Sequence, residues 1–379
     1  MHYLYLVHKQ FDIIIAGGGL SGLTAAILLS KTFSVLLVDP DSYPRHKMCG
    51  EYLSNEVFDA LKELGVSLNQ LTNVRLDTFE LSSPNGKTVR TKLPLGGTGI
   101  SRYTLDFVLY KLVIRKAQVL EARVQQAHYV DDHFQVVVGD DVYRCKQFIM
   151  ATGKRSALDK TLNRDFIFKK SPWLAVKMHY QFDMPANLVQ LHNFDGGYAG
   201  LSKIENDLVN CCYLVHYDSF KKHKDINTFQ EQVMAVNPQL DTFFNTAVAQ
   251  WEKPITISQI SFEQKQPVED RIMMIGDTAG LIHPLCGNGM AMAIHSAIIA
   301  SKNLTLYLNG KKTRDHMLID YSTEWNSVFA SRLQYGRYLQ RVLLSKTLTN
   351  FGYRAVEHIP FILPAIIKQT HGKPVTLDV

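Results

Sequence analysis

The sequence predicts a two-domain protein of the α/β class, in which a parallel sheet flanked by helices carries an inserted, mostly antiparallel sheet. Near the N-terminus an apolar run, a glycine-rich turn and a small-residue helix follow one another, and the same order returns beyond residue 270. Between these segments, strand-like stretches of alternating apolar residues recur. The 379 residues are enough for two domains. With 46% hydrophobic and 20% charged residues, the composition excludes disordered and coiled-coil chains.

The N-terminal segment has the pattern of a dinucleotide-binding, Rossmann-like βαβ unit. An apolar run at 11–16 predicts a buried strand, a Gly-x-Gly-x-x-Gly turn and a helix at 23–30 follow, and a second strand at 34–38 ends at an acid. The first glycine allows the tight turn, the second lets the backbone approach a diphosphate, and the third allows close packing of helix and strand. The acid can accept hydrogen bonds from ribose hydroxyls. The expected contacts are Gly17, Gly19, Leu20, Ser21, Gly22 and Asp39.

A second glycine-rich loop follows the strand predicted at 271–276. That strand ends in Gly-Asp, and a Pro-x-x-Gly-x-Gly turn and a helix at 290–300 come next. Backbone N–H groups at the helix start would stabilise an anion, and a reduced flavin is anionic at its pyrimidine edge. A chain that binds NAD alone would not need this loop. The expected contacts are Gly276, Asp277, Pro284, Gly287, Asn288 and Gly289.

Together, the two glycine loops resemble the FAD-dependent family of the p-hydroxybenzoate hydroxylase fold. That family includes group A aromatic monooxygenases, geranylgeranyl reductases and flavin-dependent halogenases. The segment 44–51 (PRHKMCGE) resembles the Pro-Arg-x-Lys-x-Cys-Gly-Glu block of the reductase branch, and 101–109 resembles a helix start whose arginine faces FAD. The resemblance implies FAD as the cofactor and NAD(P)H as a candidate electron donor. It adds to the expected cofactor contacts Arg45, Cys49, Gly50, Arg102 and Gly153.

Two departures from the family bear on the reaction. Group A hydroxylases usually have an Asp-Gly pair that is tied to FAD and NAD(P)H binding, whereas Thr152 here precedes Gly153. This replacement argues against the usual handling of NAD(P)H. Halogenases have a Trp-x-Trp-x-Ile-Pro block, and the three tryptophans of this chain are isolated from one another. Halogenation is therefore not expected.

The domain boundaries follow from where the strand-rich segments fall. The predicted FAD-binding domain is discontinuous and comprises residues 1–73, 94–165 and 261–311. The predicted substrate domain comprises residues 74–93 and 166–260, which contain a hairpin signal and several alternating strands. The C-terminal region, 312–379, is predicted to be helical, and it is a candidate for peripheral membrane contact. Within the insert, Tyr198 and His192 are candidates for contact with the substrate.

The resemblance leaves the reaction open. One prediction is a monooxygenase that hydroxylates an aromatic, phenolic or lipid-like small molecule through a flavin hydroperoxide. The alternative is a geranylgeranyl-reductase-like enzyme that saturates prenyl C=C bonds, with Cys49 as the candidate proton donor. The third possibility is a non-catalytic flavoprotein that transfers electrons. The expected partner is thus an aromatic or isoprenoid molecule, and the mild net charge of +6 is assigned to binding of the FAD diphosphate rather than nucleic acid.

Cysteine usage and hydropathy predict a cytoplasmic location. The five cysteines include no Cys-x-x-Cys pair, so neither a disulfide framework nor a zinc site is expected. No apolar run is long enough to predict a membrane-spanning helix.

Overall fold

The computed structural model describes residues 9–223, 225–344, 346–359 and 361–377, with side chains for all of these except 343–344 and 346–351. The strands are β1 (Gln10–Ala16), β2 (Val35–Asp39), β3 (Tyr52–Ser54), β4 (Arg75–Ser82), β5 (Thr88–Gly99), β6 (Gln118–Glu121), β7 (Val124–Val130), β8 (His133–Val138), β9 (Asp141–Met150), β10 (Trp173–Gln181), β11 (Leu188–Phe194), β12 (Gly197–Lys203), β13 (Leu208–His216), β14 (Val248–Ala249), β15 (Ile255–Ser258), β16 (Val268–Glu269) and β17 (Ile272–Met274). The helices are α1 (Leu20–Leu29), α2 (Phe58–Glu63), α3 (Leu68–Leu71), α4 (Arg102–Val113), α5 (Ala157–Thr161), α6 (Tyr217–Phe220), α7 (Ile226–Gln232), α8 (Pro238–Thr246), α9 (Gly289–Leu308), α10 (Arg314–Leu344), α11 (Lys346–His358) and α12 (Ile362–Thr370).

The first sheet is parallel at its centre and confirms the predicted α/β class. Its strands follow the order β16-β17-β9-β1-β2-β6, and β1 pairs in parallel with both β2 and β9. The apolar side chains Ile13, Ile14 and Ile15 of β1 have no exposed surface, as expected for a strand covered on both faces. Helix α1 packs against α4 and α9. This packing brings the N-termini of α1 and α9 to the same region of the molecule.

The second sheet is the mostly antiparallel insert that the sequence predicts. Its order is β14-β10-β13-β12-β11-β4-β5-β3, with β15 also paired to β10, and only the β11–β4 pair is parallel. The sheet extends beyond the predicted boundaries: β3 belongs to it, and β5 continues from the hairpin as far as Gly99. Helices α7 and α8 cover one face, where Phe229 and Phe243 are buried. The other face is left for contacts with the first sheet and the C-terminal helices.

The C-terminal region is helical, as predicted. Helix α10 packs against α9, while α11 and α12 lie against the β4–β5 hairpin. Val356, Leu363 and Ile367 form a small buried cluster there with Phe79 and Leu93 of the hairpin. Among the described residues, no helix is both long and apolar enough to cross a membrane.

Candidate cofactor and substrate site

A single cavity of about 890 Å³ contains most of the sequence-predicted site residues. Its wall is built from both sheets and from the C-terminal helices. We call the part lined by the glycine loops and nearby charged residues the glycine end; its members are Gly17, Gly19, Asp39, Lys47, Arg102, Gly153, Asp277, Gly287 and Gly289. We call the part lined by hydrocarbon side chains the apolar end; its members are Phe79, Leu81, Leu93, Val189, Leu191, Leu201, Leu214, Ile257, Val356, Leu363 and Ile367.

The first glycine loop is shaped by close contacts between backbones. A Cβ at position 22 would lie 1.9 Å from the carbonyl oxygen of Gly17, so helix α1 can approach the turn only with glycine there. Gly19 is the N-cap of α1, and no described side chain caps the helix. A Cβ on Gly19 would meet only the Arg102 Nη2 and Lys47 Nζ atoms, at 3.7 and 3.9 Å. Both cationic groups therefore stand beside the uncapped N-terminus of α1, where Gly19 lines the cavity, and this arrangement suits a diphosphate.

The two cations differ in how they are held. Arg102 donates to both carboxylate oxygens of Asp106 at 2.7 Å. Although burial acts against its charge, the Asp106 carboxylate raises the pKa of Arg102. Among the described residues, no carboxylate forms an ion pair with Lys47, and burial, with Arg102 nearby, lowers the pKa of Lys47 to about 8. A bound anion would favour the charged form of Lys47.

Asp39 ends β2 and lines the cavity, whereas Arg45 lies behind it. One carboxylate oxygen of Asp39 accepts the backbone N–H of Gly18, and the other lies 2.7 Å from Arg45 Nη2. Arg45 also stacks over the ring of Tyr43. The expected ribose acceptor is thus oriented by the glycine loop and by Arg45, which does not itself line the cavity.

The second glycine loop begins helix α9. Gly287 adopts the left-handed conformation (φ 63°) that glycine tolerates best, and α9 then begins at Gly289 without a described side-chain cap. Asp277 lines the cavity, with its Oδ2 atom 3.3 Å from Lys154 Nζ. Asn288 points elsewhere: its Nδ2 atom donates to Glu56 Oε2 and to the Thr370 carbonyl, both at 3.0 Å. The loop therefore offers backbone N–H groups to a ligand.

Cys49 and Gly50 directly follow two residues that reach the two ends of the cavity. Lys47 Nζ approaches Gly19 at the glycine end, and Met48 packs against the cluster of Leu191 and Leu214 at the apolar end, so we call this segment the junction of the two ends. Cys49 and Gly50 line the cavity, together with Cys212 and Cys286, and the backbone N–H of Glu51 lies 3.4 Å from Cys49 Sγ. Burial raises the pKa of Cys212 and of Cys286 to about 12, which keeps both as thiols. Cys49 is only partly buried.

A fully buried charged cluster beneath this segment ties it and the start of α4 to the second sheet. Glu51 lies 2.5 Å from Lys177 Nζ and 2.6 Å from His179 Nε2, both on β10, and it accepts the backbone N–H of Arg102 at 2.8 Å. Burial alone would raise the pKa of Glu51, but the Lys177 charge and the His179 contact lower it. The cluster fixes the Cys49 segment against the second sheet.

Tyr198 and His192 have different surroundings. Tyr198 lines the cavity and is 5% exposed, and its hydroxyl donates to no acceptor among the described residues. Burial, and then the nearby Cys212 and Cys286, raise the pKa of Tyr198, so the group stays a hydrogen-bond donor. His192 does not line the cavity, because its Nδ1 atom bonds Ser82 Oγ at 2.8 Å. Tyr198 pairs with Asn193 across the strands, which places His192 on the opposite face.

Several expected contacts shape the site without lining it. Gly22 packs against Gly17, and Gly276 (φ 61°) packs against Ser21. Sequence reasoning did not single out Lys47 as a contact, although it stands inside the basic segment 44–51. It also missed Lys177 and His179, whose spacing of two on an apolar strand is the signal for a shared polar face.

Unpartnered polar atoms at the cavity wall indicate a polar ligand. Thr152 Oγ1, Arg155 Nη1 and His46 Nδ1 are buried without a partner among the described residues, and all three residues line the cavity. Buried polar groups normally have partners. Two uncapped helix N-termini, two cations and an acid at the end of β2 are the groups that an FAD molecule would engage, so the residues present fit this cofactor.

Comparisons with known proteins agree with this geometry. The family model described as "FAD binding domain" matches residues 10–334. Menaquinone reductase of Mycobacterium tuberculosis is 23% identical over 359 residues, which span 87% of this chain and 82% of that protein. Digeranylgeranylglycerophospholipid reductase of Methanococcus aeolicus is 23% identical over 366 residues, which span 89% of this chain and 88% of that protein.

Two further matches complete the comparison. An uncharacterized protein of Methanosarcina barkeri is 28% identical over 164 residues, a match that spans 41% of this chain and only 40% of that protein. Among solved structures, PqsL of Pseudomonas aeruginosa, described as a probable FAD-dependent monooxygenase, superposes with a TM-score of 0.75 at 17% identity. That superposition covers 91% of this chain and 100% of PqsL. At this identity the likeness establishes the fold.

Proposed function

The chain belongs to the FAD-binding domain family and is an FAD-dependent oxidoreductase, and we propose that it reduces a C=C bond in a substrate that carries a long apolar, isoprenoid-like chain. The observation that carries this proposal is the apolar end of the cavity, which belongs to the same cavity as the glycine end and is lined mainly by hydrocarbon side chains. A compact phenol would need a small pocket with several polar anchors instead. The cavity therefore favours an isoprenoid-like substrate over a compact phenol, and the reductase-like segment 44–51 favours reduction of that substrate over its hydroxylation.

The named relatives support the same substrate class. Menaquinone and digeranylgeranylglycerophospholipid are both lipids with isoprenoid chains, and the two reductases match this chain over most of their length. The segment 44–51, which resembles the reductase branch, lies at the junction of the two ends. The proposed substrate would place its double bond at that junction and its apolar chain among the leucines and isoleucines.

We assign the cofactor contacts as follows. Arg102 and Lys47 would hold the diphosphate above the N-terminus of α1, and Asp39 would accept from the ribose. The N-terminus of α9 would face the pyrimidine edge and stabilise negative charge there. When bound and reduced, FAD supplies two electrons to the reaction.

We assign two roles on the substrate side. Saturation of a C=C bond takes up two electrons and two protons. Reduced FAD would supply both electrons together with one proton, and Cys49 Sγ would supply the other proton to a substrate carbon as its S–H bond breaks, leaving a thiolate that solvent reprotonates. Tyr198 would donate a hydrogen bond from its hydroxyl, which donates to no described residue, and so orient a polar group of the substrate. The apolar wall would exclude water from the reacting carbon.

A single-turnover experiment distinguishes reduction from hydroxylation. The FAD-loaded protein is reduced by light without oxygen and mixed with a prenylated quinone or a geranylgeranyl lipid, while flavin absorbance and product mass are followed. We expect flavin reoxidation without oxygen and a product heavier by two hydrogen atoms. A product that forms only after air is admitted, heavier by one oxygen atom, would establish the monooxygenase instead.

The role of Cys49 is tested by replacing it with serine and comparing the result with the same replacement at another cysteine of the cavity. Cys49→Ser should slow turnover at least about tenfold, because a hydroxyl is a much weaker acid than a thiol. Cys212→Ser, which changes a thiol in the same cavity, should leave turnover nearly unchanged. Equal rates for Cys49→Ser and the native protein would remove Cys49 from the mechanism.

A further inference from the structure

Positive charge is concentrated in the C-terminal helices. Between residues 335 and 373 the chain has six basic side chains and one acidic one, a net charge of +5, against +6 for the whole protein. The basic residues are Arg337, Arg341, Lys346, Arg354, Lys368 and Lys373, and the acid is Glu357. The rest of the chain is therefore close to neutral, and this segment holds nearly all of the net positive charge.

The same helices expose apolar side chains to solvent. Tyr338 is 63% exposed, Phe361 is 72% exposed and Ile359 is 37% exposed. Exposed basic residues (Arg341, Arg354 and Lys368) lie on the same three helices. Exposed aromatic and basic side chains on one helical segment are typical of proteins that bind at a membrane interface.

The buried side of these helices forms a wall of the cavity. Val356 of α11 and Leu363 and Ile367 of α12 line the apolar end, while Arg354, Phe361 and Lys368 face outward. Leu339 and Val342 extend the same wall onto the end of α10. One layer of helices thus separates the apolar end of the cavity from the basic, partly apolar outer surface.

We propose that this outer surface, defined by Tyr338, Arg341, Arg354, Phe361 and Lys368, docks on an anionic phospholipid bilayer. The positive charge complements the phosphate-bearing surface, and the aromatic side chains would insert at the level of the headgroups. Docking would place the wall of the apolar end against the membrane, from which an isoprenoid-like substrate could enter without crossing water. This last step rests on the proposed function, but docking itself does not.

Vesicle co-sedimentation tests the docking directly. The full-length, FAD-loaded protein is centrifuged with vesicles of phosphatidylcholine alone or of phosphatidylcholine mixed with phosphatidylglycerol. We expect binding to the mixed vesicles, weakened by salt because the contact is electrostatic, and little binding to phosphatidylcholine alone. The combined variant Arg341→Glu, Arg354→Glu and Lys368→Glu should lose at least about tenfold in affinity.

A matched control separates this surface from net charge. Lys31→Glu, Lys116→Glu and Lys253→Glu make the same change in charge at exposed positions elsewhere, and this variant should bind almost as the native protein does. A second variant, Tyr338→Ser with Phe361→Ser, should weaken binding while its salt dependence persists. Flavin absorbance and the melting temperature of each variant establish that the fold and cofactor are intact.

Several results would overturn the proposal. One is equal vesicle binding by the two charge-reversal variants, and another is binding to a DNA duplex but not to vesicles. Turnover of a short-chain, detergent-free substrate analogue distinguishes docking from the proposed function. Loss of docking with intact double-bond reduction would contradict only the docking surface, whereas docking without reduction would contradict only the proposed function.

Discussion

The two ends of the cavity differ in the groups that line them. Backbone N–H groups and buried charges line the glycine end, whereas hydrocarbon side chains line the apolar end. The glycine end depends on close backbone approaches, such as that of position 22 to the Gly17 carbonyl, which no larger residue permits. The apolar end depends on side-chain volume, which exchanges of similar size conserve. Substitutions should therefore affect stability and cofactor binding at the first end, and the choice of substrate at the second.

The largest expected effect on the free energy of unfolding follows from removing the Glu51 carboxylate. Glu51→Ala would leave Lys177 charged, fully buried and without its carboxylate, which typically costs about 3–5 kcal/mol of unfolding free energy. Denaturant unfolding of the apoprotein measures the loss. Adding Lys177→Met to this variant should recover much of it, because the unpaired charge is then removed. A Glu51→Ala protein as stable as the native one would contradict the buried cluster as an anchor of the Cys49 segment on the second sheet.

Acid sensitivity should be traceable to Glu56, which has no exposed surface and lies 2.9 Å from Arg332. Burial alone would raise the pKa of Glu56, but contacts with His295, Arg332 and Asn288 lower it to about 2 from its ordinary 4.5. Because the folded pKa is the lower one, this stabilisation is fully present above about pH 4.5 and is lost as the pH falls towards 2.

The matched variant is Glu56→Gln. At pH 7 we expect it to be less stable than the native protein by about 3 kcal/mol, and we expect the difference to shrink as the pH is lowered from 4.5 towards 2. Unfolding curves of both proteins across that range provide the measurement. A difference that does not depend on pH would mean that Glu56 contributes through packing alone.

Two alanine substitutions in the first glycine loop should behave differently. Gly22→Ala brings a Cβ against the Gly17 carbonyl and should cost about 3 kcal/mol in the apoprotein, as severe overpacking does. Gly19→Ala meets nothing closer than 3.7 Å, so the apoprotein should keep its melting temperature while the affinity for FAD falls. Thermal melting and FAD titration of the two variants separate these effects. Equal FAD affinity in Gly19→Ala and the native protein would place the diphosphate elsewhere.

The smallest effect on stability should come from the apolar end. Leu191 lines the cavity and is 5% exposed, and Leu191→Phe would take up space that the substrate chain needs. We expect kcat/KM for the longest substrate chain to fall about tenfold while a short-chain analogue is affected much less. Leu191→Met, which conserves volume, is the control. A uniform loss for all chain lengths would point to general disruption of the cavity.

The glycine end could largely be predicted from the sequence because its motifs are local. Gly17, Gly19 and Gly22 stand within six residues, and the strand and helix around them follow from hydrophobic patterning. Lys47 shows the limit of such reasoning: a single lysine in a basic stretch gives no sign that its side chain reaches Gly19. That proximity is produced by the chain path between β2 and β3.

The apolar end could not be predicted in the same way. Phe79, Leu191, Ile257 and Leu363 come from four distant segments, and each has the pattern of an ordinary core residue. The pair of Tyr198 and His192 illustrates the remaining ambiguity. His192 stands on β11 and Tyr198 on β12, but strand register decides which face each occupies, and register depends on pairing that the sequence does not specify.

The central claim is that one continuous cavity places an apolar chain against the flavin, and the chain-length dependence of flavin reoxidation tests it most directly. The reduced protein is mixed without oxygen with a series of substrates that share a head group and differ in the number of isoprenoid units. We expect the rate constant at low substrate concentration to rise with each added unit until the apolar end is filled. A rate that is the same for the head group alone as for the full-length chain would contradict the account.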